Sequence, residues 1–386
     1  MYFCQPKICS MQPIRMVDLI TQYQKIKPEV DTAIAEVMNQ AAFINGPEVK
    51  AFQTELEDYL QVKHVIPCAN GTDALQVAMM ALDLQPGDEV ITATFTYVAT
   101  AEVIALLKLT PVLVDVDPET FLIDPAAIEA AITPKTKAIV PVHLFGQCAN
   151  MDEIMRIAKA HNLFVIEDTA QAIGATYTFA DGNTAKAGTI GTIGATSFFP
   201  SKNLGCFGDG GAIFTQDDDL AAKMRMIVNH GQSKQYYHDS IGVNSRLDSI
   251  QAAILRIKLR QLDDYNVSRQ SAAAAYDKAF GEHPKLRIPA RAANSTHVFH
   301  QYTLKVKGAD RDGLRAYLAD RDIPSMIYYP VALHMQSAYA SDRYGKGAFP
   351  VTENLVEEVI SLPMHTELTP DQIEYIINSV LEFINQ

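Results

Sequence analysis

The sequence predicts an α/β protein: a mainly parallel central sheet flanked by helices on both faces, followed by a smaller C-terminal α/β domain. Three observations predict it. From about residue 60 to residue 215, short apolar strands alternate with amphipathic helical stretches, the pattern of βαβ units. From Ser249 the pattern changes to one long helical run without proline or glycine. Beyond residue 285, strands and helices are mixed in a shorter segment.

The elements follow in order. Residues 1–13 form an extension before the first helix. Residues 14–255 form the large domain, and 256–386 a linking helix with the small domain. In CANGTDALQVAMMALDL the apolar periodicity of a helix begins near Ala74. PGDEVITAT, TPVLVDVD, KAIVPVH and NLFVIED each read as a strand bounded by turn residues or charge. IEAAI and MDEIMRIAKAHN supply helices between them. SIQAAILRIKLRQLDDYNVSRQSAAAAYDKAF is the long helix, HQYTLKVKG a strand, and RDGLRAYLADRD and ELTPDQIEYIINSVLEFI are helices. No repeat and no low-complexity segment interrupts the chain.

Composition narrows the function classes. The chain has 386 residues, enough for a large domain and a smaller one. With 48% hydrophobic and 20% charged residues it reads as soluble and globular. A net charge of −13 argues against a general binder of nucleic acid or of anionic membranes, so any anionic ligand needs a local site. The five cysteines, Cys4, Cys9, Cys68, Cys148 and Cys206, show no CxxC pair, which predicts free thiols and no metal centre. MYFCQPKICSMQ holds no signal-peptide core, and VATAEVIALLKL is broken by Glu102 and Lys108. The expected location is the cytoplasm.

Several stretches carry chemistry. Asp168 ends an apolar strand, where a carboxylate needs a cation, a donor or a local turn to cap. Asn70, Gly71 and Thr72 stand just before a helix, as an anion cradle or as an ordinary cap from Thr72 or Asp73. The aromatics of FTYVATAE suit either a planar ring or the core. In SFFPSKNLGCFGDGGA, Lys202 sits among phenylalanines, a proline and glycines. Apolar surroundings lower an amine's pKa and free it as a nucleophile, while Gly205, Gly208, Gly210 and Gly211 permit close backbone approach to a ligand. The alternative is a loop lysine that reaches solvent. Together these groups supply an imine-forming amine, a carboxylate for a ring nitrogen, a phosphate cradle and an aromatic for a ring face. Those are the requirements of pyridoxal phosphate (PLP).

The ordered set NGTDAL, FTYVATAE, VIEDTAQAIGA, SFFPSKNLGCFGDGGA and GVNSRLDSIQAAIL resembles the DegT-type, PLP-dependent nucleotide-sugar aminotransferases of fold type I, from about Ile14 to the C-terminus. The resemblance implies that Lys202 is the Schiff-base lysine and proton shuttle. It implies that Asp168 pairs with the pyridine nitrogen and that Gln171 lies near the ring hydroxyl. Gly71, Thr72 and Ser197 form the phosphate cradle, and Tyr97 stacks on the ring. Asn244 reaches the phosphate from the partner subunit of a homodimer, unless it serves only the turn after Gly242. Glutamate leaves its amino group as pyridoxamine phosphate, and a nucleotide-linked keto-sugar accepts it.

Within that family the chain closely resembles the enzymes that aminate C3 of UDP-2-acetamido-2-deoxy-3-oxo-glucuronate for O-antigen sugars. Arg246 then suits a carboxylate of glutamate or of the uronic acid, or else an ion pair with Asp248. Where those enzymes have His-Tyr-Pro, this chain has Tyr328-Tyr329-Pro330, which keeps a hydrogen-bonding group without the charge. Tyr328, Tyr329 and His334 are candidate substrate contacts, and His334 reads more simply as packing. Other readings are amination of another UDP- or dTDP-linked 3-keto or 4-keto hexose, or a non-catalytic regulatory protein on the same fold. A dehydratase, which has histidine at the lysine position, is disfavoured by Lys202.

Overall fold

The computed structural model describes residues 12–386. Cys4, Cys9 and most of the N-terminal extension lie outside the described residues. Two helices, α1 (Leu19–Gln40) and α2 (Pro47–Leu60), lead in. The alternating region follows as β1 (His64–Cys68), α3 (Gly71–Ala81), β2 (Glu89–Ala93), α4 (Ala99–Leu106), β3 (Thr110–Val114), α5 (Pro125–Ala131), β4 (Thr136–Val140), α6 (Met151–His161) and β5 (Phe164–Asp168). A small hairpin, β6 (Thr176–Thr178) with β7 (Thr184–Lys186), precedes β8 (Ile193–Ser197), β9 (Gly211–Thr215) and α7 (Asp218–Ile227). A second hairpin, β10 (Gln232–Lys234) and β11 (Tyr237–His238), leads to α8 (Ser249–Leu259) and α9 (Leu262–Phe280). The chain closes with β12 (Leu286–Arg287), β13 (Tyr302–Val306), α10 (Arg311–Ala319), α11 (Pro350–Glu358), β14 (Val359–Leu362) and α12 (Pro370–Ile384).

Seven strands make the large sheet in the order β1-β9-β8-β5-β4-β2-β3. The pairs β2–β3, β2–β4, β4–β5 and β5–β8 are parallel, and β9 alone runs against its neighbours. Alternation within strands explains the layers. Val90, Ala138, Val140 and Ile166 point into one core with α3, α4 and α7; Ile91, Ile139 and Val165 point into the other with α5 and α6. Both faces are therefore dry, as a parallel sheet requires. A further core joins α9, α10 and α12 to the three-stranded sheet β12-β13-β14. Among the described residues, no helix is long and apolar enough to cross a membrane.

Two local expectations are corrected. The long helical run is two helices, broken at Arg260 and Gln261, which keep right-handed backbone angles at the joint. No glycine or proline marks the break; Leu259 and Leu262 are both buried, so periodicity runs across it unseen. The helix expected near Ala74 starts at Gly71, because its first turn faces the sheet edge and carries no apolar stripe.

Candidate active site

The parallel strands end on one edge of the sheet, where ligands bind in such folds. Asp168 is the last residue of β5 and is only 7% exposed. One of its oxygens accepts from Thr100 Oγ1 at 2.9 Å, the other from the Ala170 amide at 3.1 Å. It therefore caps a local turn as well as facing the site. Burial raises its pKa, while the Ala170 and Thr100 bonds and the charge of Lys202 oppose the rise. Ser197 ends β8, two residues beyond Ala195, the register partner of Asp168.

Lys202 lies on the turn between β8 and β9. Its amide donates to Phe199 O at 2.8 Å, and the side chain is half-buried. Burial lowers the amine's pKa to about 8; the negative charge of Asp168 limits the fall. Two glycines of this stretch have a use the sequence did not indicate. A Cβ on Gly211 would lie 2.4 Å from Asn70 O, and one on Gly205 2.4 Å from Pro200 O. Their bareness serves contact between the chain's own backbone segments.

The cradle is assembled from two strand ends. Asn70, not Thr72 or Asp73, caps α3, its side chain accepting from the Asp73 amide at 2.8 Å. The Gly71 and Thr72 amides are the first of the helix, where no carbonyl of the same helix can accept them. A Cβ on Gly71 would lie 2.6 Å from Ser197 Cβ, so the helix start and Ser197 meet only because residue 71 is glycine.

An aromatic wall closes another side. Gln171 accepts from the Phe145 amide at 2.7 Å and donates to Tyr329 Oη at 3.0 Å. The Tyr329 ring centroid lies 6.3 Å from that of Tyr97, 6.1 Å from Phe95 and 6.0 Å from Tyr328. Phe95 is core, whereas Tyr97 is 59% exposed. Burial raises the pKa of both Tyr328 and Tyr329, so both keep their phenolic protons at neutral pH.

Asn244 and Arg246 stand apart from this cluster. Asn244 is exposed and bridges to Asn229. The following Ser245 is buried and accepts from the Ala69 amide at 3.1 Å, two residues from Gly71. Arg246 forms no ion pair among the described residues, with Asp248 or any other acid. Its Nη1 reaches Asn229 Oδ1 at 3.5 Å, and its buried Nε has no partner. His334 is buried, with both ring nitrogens engaged by Thr94 and Glu353, and is not a free substrate contact.

Sequence reasoning missed three groups. Thr100, inside FTYVATAE, holds Asp168. Glu167 is fully buried and accepts from His143 Nε2 and the amides of Gly188, Ile190 and Gly191 at 2.6–2.9 Å. The Ala149 amide donates to His143 Nδ1, which leaves the ring proton on Nε2 for Glu167. His300 is buried, and burial together with the charges of Lys202 and Arg269 keeps it uncharged. The strand-end Glu-Asp pair was the available signal for Glu167; nothing in the sequence singled out the other two.

The sequence profile of the DegT/DnrJ/EryC1/StrS aminotransferase family matches residues 24–381. The chain belongs to this family. It is 47% identical to a pleiotropic regulatory protein of Geobacillus stearothermophilus, with 96% of this chain and 98% of the relative covered. It is 46% identical to the UDP-2-acetamido-2-deoxy-3-oxo-D-glucuronate aminotransferase of Pseudomonas aeruginosa, covering 94% and 98%. A solved aminotransferase of the family from Brucella abortus superposes with a TM-score of 0.91 at 41% identity, covering 97% and 100%. NtdA of Bacillus subtilis, solved with the pyridoxamine form of the cofactor, superposes with a TM-score of 0.86 at 32% identity over 94% and 82%. This protein is thus a PLP-dependent aminotransferase. Its own residues fit that cofactor: free amides where α3 meets Ser197 without a Cβ between, a buried carboxylate at a strand end, and an amine with a lowered pKa.

Proposed function

We propose that this enzyme transfers an amino group from glutamate to C3 of UDP-2-acetamido-2-deoxy-3-oxo-glucuronate, in the cytoplasm, for a bacterial surface polysaccharide. The observation that carries the transaminase reading is Lys202, held half-buried beside Asp168 with its pKa lowered to about 8. The relative from Pseudomonas aeruginosa supports the sugar. Arg246 supports a substrate carboxylate, because its guanidinium is partly buried and lacks an acid of its own.

Bound PLP supplies an aldehyde for an amine and a ring that accepts an electron pair. The chain does the rest. Lys202 holds the reactive amine and carries a proton at Nζ. Asp168, steadied by Thr100, would pair with the ring nitrogen. Gln171, fixed between Phe145 and Tyr329, would meet the ring hydroxyl. Gly71, Thr72 and Ser197 would take the phosphate, and Tyr97 would cover the ring. Tyr328, Tyr329 and Arg246 receive the substrate. Residues 14–255 carry the cofactor half, and 256–386 the smaller domain.

We further infer a homodimer with shared sites, in which Asn244 reaches the partner's phosphate. The hairpin before it exposes Tyr236 (83%), Tyr237 (62%) and Ile241 (85%), a large apolar area to leave in water.

A second reading, a regulatory protein on this fold, is favoured by the name of the Geobacillus relative, a pleiotropic regulatory protein. One experiment separates them. The purified protein should be yellow and should bleach with glutamate; a panel of UDP- and dTDP-keto-sugars, followed by mass spectrometry, should then show amination of the UDP-3-oxo-uronate. A colourless protein that takes up no PLP refutes the aminotransferase reading, and amination of another sugar alone refutes the substrate.

A further inference from the structure

Thr94 ends the β2 edge of the site, three residues before Tyr97. It makes three bonds to one short segment. Its carbonyl accepts from the Leu333 amide at 3.0 Å, its Oγ1 accepts from the His334 amide at 3.4 Å, and the same Oγ1 lies 3.0 Å from His334 Nδ1. On the far side of the ring, His334 Nε2 lies 3.1 Å from Glu353 Oε1. A carboxylate only accepts, so Nε2 carries the proton, and Nδ1 accepts from the Thr94 hydroxyl. Glu353 is itself fixed, accepting from the Gly347 amide at 2.7 Å and the Phe349 amide at 3.4 Å. The Phe349 ring packs edge-on against the imidazole, with centroids 4.8 Å apart. His334 is 3% exposed and Thr94 fully buried. Thr94 and His334 are closed to any ligand, so this Thr–His–Glu line cannot act as a nucleophile relay.

Its place in the chain gives it another use. The segment that His334 anchors begins at Tyr328-Tyr329, and the segment that Thr94 begins continues through Phe95 to Tyr97. The two segments meet again at the rings of Tyr329, Phe95 and Tyr97. We propose that His334 is a positioning residue for the acceptor sugar: the Thr94–His334–Glu353 clamp sets the gap between the Tyr97 and Tyr328-Tyr329 walls. The proposal rests on the reading that Tyr328 and Tyr329 face the sugar. The clamp touches neither Lys202 nor Asp168, and glutamate is far smaller than a nucleotide-linked sugar, so the amino-donor half-reaction is the less sensitive of the two to that gap.

Separate half-reactions test this. His334→Phe keeps a ring and removes both bonds. It should bleach with glutamate at a rate within about twofold of the wild type, while KM for the keto-sugar rises about tenfold, the size of a buried hydrogen bond lost. His334→Asn places an amide where Nδ1 stood and should recover most of the loss; His334→Gln, which reaches only toward Glu353, should not. Thr94→Val removes the hydroxyl at nearly constant volume and should reproduce the His334→Phe signature even if the histidine variants fold poorly. Equal falls in both half-reactions, or an unchanged sugar KM in Thr94→Val, would overturn the proposal. A wild-type enzyme that does not bleach with glutamate would instead sink the function on which it rests.

Discussion

The turn that carries Lys202 and the hairpin that precedes Asn244 are both loops, and they are built in opposite ways. The turn is tied down along its length. The Phe198 amide donates to Gly210 O and the Cys206 amide to Phe198 O, Phe207 donates to Gln251, and Asn203 donates to both Asn266 and Val298. Leu204 and Cys206 are fully buried beneath it. The hairpin closes on itself through Gly231, where a Cβ would lie 1.7 Å from Ser240 O, yet it presents Tyr236, Tyr237 and Ile241 to water. One loop takes its geometry wholly from its own chain. The other leaves a large apolar surface in water, the kind of patch that marks an interaction site. Cofactor chemistry needs fixed amines and carboxylates, so it is placed on the first kind of loop; in the homodimer we propose, the second kind would let two subunits complete one site.

The sharpest way to break this comparison is to remove the amine from the fixed loop. Lys202→Ala should abolish turnover by at least about a thousandfold, as loss of a covalent nucleophile does. The melting temperature should hardly fall, because the turn is held by its backbone and by Asn203 rather than by Lys202. Steady-state rates with circular dichroism melting check both halves. Retained turnover would remove Lys202 from the chemistry, and a collapsed fold would show the turn to be less self-sufficient than its bonds imply.

The second test addresses the shared loop. Asn244→Ala should weaken PLP binding about ten- to a hundredfold, the value of a hydrogen bond to a charged phosphate. Mixing decides whether that bond crosses subunits. In a mixed dimer of Lys202→Ala and Asn244→Ala chains, one site joins an intact Lys202 to an intact Asn244. Activity should then rise above that of either parent after co-expression. If Asn244 serves its own chain, both sites of the mixed dimer are damaged and no such rise appears.

What the sequence discloses follows the same divide. Lys202 and Asp168 are legible because each breaks a local rule: a charge at the end of an apolar strand, an amine among aromatics and glycines. The sheet is legible because its dry faces demand continuous apolar strands. Contacts between residues distant in the chain are not. A buried Glu167 looks in sequence like any exposed glutamate, and its four donors come from positions 143 and 188–191. The use of Gly71 is invisible until Ser197 is placed against it. Arg246 was equally open to an ion pair with Asp248, and only the placed side chains show that none forms. His334 reads as substrate contact or packing until Thr94 and Glu353 are seen on either side of it.

The smallest expected effect tests how far the fixed loop tunes its amine. Burial brings Lys202 to a pKa of about 8, against about 10.5 for a free lysine. Desolvation disfavours the ammonium, and Asp168 opposes it, so the folded protein sheds this proton at lower pH than the unfolded chain does. Roughly one amine in ten is then neutral at pH 7 and roughly nine in ten at pH 9. The rate at which cofactor-free protein turns yellow with added PLP should therefore rise about tenfold across that interval and level off above it. Were the lysine in the solvent-reaching state, the rise would continue beyond pH 10 with no plateau. Asp168→Asn removes the charge that holds the ammonium, so its plateau should begin at lower pH. A plateau shifted upward in that variant would show that the acid, rather than burial, depresses the amine.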